Sequence, residues 1–223
     1  MRKKNIIISS VLILVSIIYT YLVKHVDVAP IGPNSSSVGF SSLNGWFKNI
    51  IGSNMIIYKI TEVLGLLLFL IVAIYGCIGL YQLIKRKSLL KVDKEIMVLG
   101  GLYVLMMIVY VFFEKCVINY RPILIDGELE ASFPSSHTIL ALCIALSSLK
   151  VSQRYFNKKY IKQINLVTIL LMSLVFLGRT ISGVHWISDI IGGVIISLTL
   201  LSIFNTIYDW TRKVSKWYFF YFQ

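Results

Sequence analysis

The sequence predicts an all-α fold: a polytopic membrane bundle of six transmembrane helices with both termini cytoplasmic. Three observations carry this: an apolar composition, six apolar runs of spanning length, and a lopsided distribution of positive charge between alternate connectors. Of 223 residues, 57% are apolar and 14% are charged, against about 45–50% and about 25% in soluble globular chains. That much apolar surface excludes a disordered chain and a water-soluble domain of this size.

At roughly 20 residues per crossing, the apolar runs fall at 5–23, 55–84, 96–113, 135–149, 164–181 and 185–208. Hydrocarbon offers no partner to a free backbone group, so runs of this length are expected to be helices. Residues 1–223 then form a single membrane domain. The first run follows Arg2, Lys3 and Lys4 as a signal peptide would. It is long for an h-region and no A-x-A-like site follows it, so it is expected to be a retained span. The segment 24–54, with Pro30, Pro33 and the run Asn34-Ser35-Ser36-Ser37, is the one long extracellular loop before the core. A short interfacial helix is expected over 43–51, placing Trp46 and Phe47 at headgroup depth.

The formal net charge of +12 would raise nucleic-acid binding in a soluble chain. Here its distribution supplies the reason. The N-terminus, the 85–95 and 150–163 connectors and the tail after 208 hold 16 of the 22 Lys and Arg residues. The opposite connectors and adjacent span ends hold six: Lys24, Lys48, Lys59, Lys115, Arg121 and Arg179. The basic side belongs in the cytoplasm, so loops 24–54 and 114–134 and the 182–184 turn face outward, and no nucleic-acid partner is expected. The aromatic run 217–222 is expected to lie along the interface. Cys77, Cys116 and Cys143 form no CxxC pair, which leaves neither a disulfide framework nor a zinc site to read.

Charged groups at membrane depth cost about 2.5–3.5 kcal/mol each on insertion scales and need a reason. The outward half carries Lys115, Arg121, Ser135, Ser136, His137, Arg179, His185 and Asp189. His185 and Asp189 are four apart on an expected helix and share a face. A carboxylate there can accept one imidazole N–H, leaving the other nitrogen as nucleophile or base; a structural hydrogen bond is the plainer alternative. Gly183 allows a reversal that brings Arg179 beside His185, whereas in isolation Arg179 reads as a snorkelling side chain. In Phe133-Pro134-Ser135-Ser136-His137, Pro134 suits a first helical turn whose free N–H groups attract an anion. A simple helix start accounts for Pro134 and Ser135, but not for a histidine just inside an apolar span. Pro122 breaks the helix after Lys115 and Arg121. With Arg179, these two would make a three-cation pocket suited to a phosphoryl ester. Glu62, inside the second span, has no readable role beyond a contact with Lys59 or the site. Asp126, Glu128 and Glu130 read as a solvated acidic rim.

These residues resemble the type 2 phosphatidic acid phosphatase (PAP2) superfamily of membrane lipid phosphatases, whose motifs are K-x6-R-P, P-S-G-H and S-R-x5-H-x3-D. The third is matched by Gly178-Arg179, His185 and Asp189, the second by Pro134-Ser135-Ser136-His137, and the first by Lys115 with Arg121-Pro122, together spanning 115–193. Gly178 stands for Ser and Ser136 for Gly. Lys115 is one residue too close to Arg121, and Glu114 occupies the lysine's place. The resemblance implies that His185 attacks phosphorus, that Asp189 orients it and that His137 protonates the leaving oxygen. Arg121, Arg179, Ser135, Ser136 and Lys115 would bind the phosphate. No metal or other cofactor is expected, and the site would face the extracytoplasmic side of the cell membrane. Undecaprenyl pyrophosphate is the substrate expected first; phosphatidylglycerol phosphate and phosphatidic acid are the alternatives. Transfer of the phosphoryl group to another lipid, or anion transport without chemistry, are the rival functions.

Overall fold

In the computed structural model, residues 2–221 are described, with side chains for 3–212. They form seven α-helices: α1 Arg2–His25, α2 Ser41–Ile51, α3 Met55–Arg86, α4 Lys94–Lys115, α5 Ser136–Tyr155, α6 Lys158–Ser182 and α7 Ile187–Tyr221. The aromatic run 217–222, expected at the interface, lies outside the described side chains.

Five helices are long and apolar enough to cross a membrane: Lys3–His25, Met55–Arg86, Lys94–Lys115, Lys158–Ser182 and Ile187–Arg212. The expected span at 135–149 corresponds to α5, which is not one of these five. Its buried positions include Thr138, Ala141, Cys143, Ala145, Ser147 and Ser148, and α3, α4, α6 and α7 all pack against it. A helix enclosed by other helices needs small residues for close approach more than an apolar coat for lipid. Its hydropathy is diluted for that reason.

Two boundaries differ from expectation. The 150–163 connector is mostly helical, because Asn157 caps α6 by accepting from Lys159 N at 2.9 Å. Only residues 156–157 separate α5 from α6. α7 begins at Ile187 rather than 185, which leaves His185 in the preceding turn. The expected interfacial helix is present as α2, with Trp46 exposed and Asn44 fully buried.

The bundle is tied at both ends. At the end carrying the basic connectors, Asp93 accepts from Arg86 Nη1 at 2.8 Å, Gln82 Nε2 at 2.9 Å and Tyr155 OH at 3.0 Å. Arg154 pairs with Glu95, and Lys150 with Asp209. Between the ends, hydroxyls join α1 to α7: Ser9 to Ser202 and Ser16 to Thr199, both at 2.8 Å. Such contacts average about 0.6 kcal/mol in a bilayer.

At the opposite end α2 covers the turn between α6 and α7. Asn44 Nδ2 donates to Ser188 Oγ at 2.9 Å, and its Oδ1 accepts from Ser188 N at 3.1 Å. Lys48 Nζ donates to Gly183 O at 2.7 Å. Gly183 ends α6 at φ +64°, and a Cβ there would meet Gly52 O at 1.9 Å. Both the left-handed conformation and the space demand glycine.

Candidate active site

The α4–α5 connector folds back as a hairpin. Asp126 and Gly127, at φ +49° and +84°, form its two-residue tip, as Asp-Gly pairs do in type I′ turns. Ile125 and Glu128 exchange backbone bonds across it at 2.9 and 3.1 Å. Farther down, Arg121 N donates to Glu130 O at 3.0 Å and Ser132 N to Asn119 O at 2.9 Å. This register brings Arg121 and Ser132 to one cavity of about 290 Å³, together with Ser136, His137 and His185. Its apolar walls include Phe69 of α3 and Met106, Met107, Tyr110 and Phe113 of α4. Phe69 and Met107 also present nearly half their surface to the outside of the bundle.

Asp189 is fully buried at the centre of a hydrogen-bond network. Its Oδ2 accepts from Ser132 Oγ at 2.5 Å and Trp186 N at 3.0 Å, and its Oδ1 from Asn119 Nδ2 at 3.2 Å. The expected contact from Asp189 to the His185 ring runs through Ser132, whose Oγ also lies 3.0 Å from His185 Nδ1. With the Ser132 proton directed at Asp189, its oxygen accepts Nδ1–H of His185. The lone pair is thereby left on Nε2. That atom is buried and has no partner within the protein. His185 stands in the turn between α6 and α7, where burial, then Arg121 and Arg179, hold its imidazole well below the ordinary range and therefore neutral.

Arg179, at the end of α6, is fully buried and donates from Nη2 to Glu62 Oε1 of α3. Its Cζ lies 4.7 Å from the Tyr58 ring, and Arg121 approaches the same ring at 5.9 Å. Arg179 is not among the residues lining the cavity but is enclosed beside it. Arg121 Nε lies 3.2 Å from Glu130 Oε2 without hydrogen-bond alignment. His137 Nε2 is 3.5 Å from Glu62 Oε1. Among the described residues, eight buried side-chain N or O atoms have no partner. Six of them belong to Arg121, His137, Arg179 and His185. An unpaired buried polar atom costs about 1–3 kcal/mol, so a concentration of six around one cavity calls for a functional explanation.

Besides Arg179, two expected ligands do not line the cavity. α4 continues to Lys115, and each helical residue turns the side chain by about 100°. Glu114 therefore lines the cavity, while Lys115 is exposed. Ser135 is also turned away: its Oγ accepts from Thr138 Oγ1 at 3.0 Å, and its N donates to Asp189 O at 3.0 Å. Ser135 acts as a brace between α5 and α7, and Ser136 is the hydroxyl at the cavity. Ser132 and Asn119 were invisible to motif reading because they sit in irregular chain. The Asp126-Gly127 pair was the signal that could have found the hairpin pairing them. Of the acidic rim, Asp126 and Glu128 are exposed, and Glu130 faces Arg121. Among the described residues, no group of three or more His, Cys, Asp or Glu is placed to hold a metal ion.

Gly178 has a local cause. A Cβ at that position would come 2.3 Å from Thr61 Cγ2, so the close α3–α6 contact excludes the serine of the family motif. Gly178→Ser is expected to lower the melting temperature in detergent, at an overpacking cost of about 1–3 kcal/mol. Adding Thr61→Ser, which removes Cγ2 but keeps the hydroxyl, should recover most of that loss.

Fold and site together define a helical membrane protein with a buried cavity lined by two imidazoles and one guanidinium, a second guanidinium being enclosed beside it. The chain belongs to the PAP2 superfamily, whose family model matches residues 70–213. It is similar in structure to the first transmembrane PAP2-type phosphatidylglycerolphosphate phosphatase from Bacillus subtilis, solved by crystallography. The two share 20% identity over 92% of this chain and 96% of that one, with a TM-score of 0.54. At that identity the likeness establishes the fold. No curated protein matches the chain by sequence. Family membership supports a membrane phosphatase acting on a lipid phosphate.

Proposed function

We propose that this protein hydrolyses a lipid phosphate at the outer face of the cell membrane through a phosphohistidine on His185. The observation that carries the reading is the unpartnered Nε2 of His185 in the same cavity as His137 and Arg121. The Nε2 lone pair attacks phosphorus as the bond to the leaving oxygen breaks, and His137 gives that oxygen a proton. Water then attacks phosphorus, returns a proton to His137 and breaks the P–N bond, releasing phosphate. Arg121 and Arg179 offset the charge on the phosphoryl oxygens. The apolar wall between α3 and α4, reaching the surface at Phe69 and Met107, suits a lipid chain that stays in the bilayer. Six crossings with cytoplasmic termini, α5 being the sixth, put the site outside; the excess of Lys and Arg at the other end supports this orientation.

Undecaprenyl pyrophosphate is the substrate of this reading. A second, phosphatidylglycerol phosphate or phosphatidic acid, draws on a specific observation: Lys115 is exposed and Glu114 takes its side of α4. Two guanidiniums match a phosphomonoester dianion better than a more highly charged pyrophosphate. A phosphate-release panel over the three lipids, in detergent with a strong chelator present, tests both readings. Release is expected to persist with chelator, and the lipid with the highest kcat/KM decides the substrate. Labelled phosphate appearing on an acceptor lipid instead of in solution would replace hydrolysis by transfer. A pocket that bound phosphate but released none would indicate transport.

A further inference from the structure

The three sequence motifs leave one wall of the site undescribed. Tyr58, Thr61, Glu62 and Gly65 recur at i, i+3, i+4 and i+7 on α3, a single helical stripe. Each meets the site. The Tyr58 ring underlies both guanidiniums, and Thr61 occupies the space opened by Gly178. Glu62 joins Arg179 to His137. Gly65 lies so near His137 that a Cβ would come 2.9 Å from Cδ2 and 3.0 Å from Nε2. The stripe also precedes residue 70, where the family match begins.

His137 is surrounded mainly by positive charge. Arg179 faces it from α6 and Arg121 from the α4–α5 hairpin, while the neutral His185 stands in the α6–α7 turn. Tyr110 and Glu114 of α4 line the same cavity. Among the described residues, Glu62 is the one carboxylate within ion-pair distance of its ring. A general acid has to carry a proton, and two neighbouring guanidiniums oppose that charge. Resting on the hydrolase reading above, we propose that Glu62 is a positioning residue of the reaction. Its carboxylate is the counter-charge that holds the leaving-group proton on His137 while it steadies the Arg179 guanidinium.

Glu62→Gln separates the two duties, because the amide oxygen still accepts from Arg179 while the charge is lost. The test compares this variant with wild type on two monoesters. One is an alkyl lipid phosphate, whose alkoxide must be protonated as it leaves; the other is p-nitrophenyl phosphate, whose phenolate need not be. Glu62→Gln should lower kcat on the alkyl ester by about 10²-fold, the size of a general-acid contribution, and on the aryl ester by less than about threefold. Glu62→Asp should restore part of the alkyl rate, and Glu62→Ala, which removes the strut as well, should lose both. Retained aryl turnover reports that the Gln variant is folded. Equal loss on the two esters, no loss on either, or a gain on the alkyl ester overturns the role of Glu62 and leaves the hydrolase reading intact. Wild type that releases phosphate from neither ester overturns both.

Discussion

His185→Ala is expected to abolish phosphate release, lowering kcat by at least about 10⁴-fold, as loss of a covalent nucleophile does elsewhere. The reasoning is local. Nε2 of His185 is an unpartnered ring nitrogen at the cavity, and Ser132 holds Nδ1 at 3.0 Å, so the lone pair has one direction in which to act. The turn is held by Gly183, Lys48 and Asn44 through hydrogen bonds that do not use the ring, so truncation to Ala should leave the fold in place. Phosphate release and thermal melting of the purified variant in detergent check both halves. Wild-type turnover by a folded His185→Ala enzyme would remove the mechanism.

The second large effect is expected at Asp189. Its two oxygens meet donors on both sides: Ser132 and Trp186 N at Oδ2, Asn119 and, at 3.4 Å, the Ser188 hydroxyl at Oδ1. An asparagine must turn its NH2 toward one of these sides. Toward the first it meets the immovable backbone N–H of Trp186. Toward the second it meets Asn119 Nδ2, whose amide is fixed because Gly39 N donates to its oxygen at 3.1 Å. Toward the first side, moreover, Ser132 must redirect its proton to His185 Nδ1. That shifts the ring to the other tautomer and ties up Nε2. Asp189→Asn should therefore lower kcat by about 10³-fold or more, with a smaller change in KM. Steady-state kinetics with a matched melting measurement separates this from unfolding. A Ser132→Ala variant should lose less, because the carboxylate and its remaining donors stay in place.

How far the sequence reached follows the physics of each signal. Hydropathy located α1, α3, α4, α6 and α7, because lipid-facing helices must be apolar all round. It was weakest for α5, whose neighbours are protein. Spacing brought His137, Arg179, His185 and Asp189 forward, since each is costly at membrane depth without a purpose. Lys115 differs by a single helical step: α4 runs as far as Lys115, so Glu114 takes the side that lines the cavity and Lys115 turns about 100° away from it. Ser135 lies off the cavity lining, its hydroxyl accepting from Thr138, a contact that the motif spacing does not reveal. Ser132 could not have been read at all, since its partners lie 53 and 57 residues away and no periodicity links irregular chain to a distant turn.

The clasp that α2 places on the α6–α7 turn has a consequence for how this protein can be divided. The segment that carries His185, though far downstream, is fastened by Asn44 and Lys48, which belong to the first quarter of the chain. A fragment trimmed to residues 70–213, the part the family model matches, would keep both imidazoles and both guanidiniums yet lose the fastening. Its chemistry should therefore decay before its helices come apart.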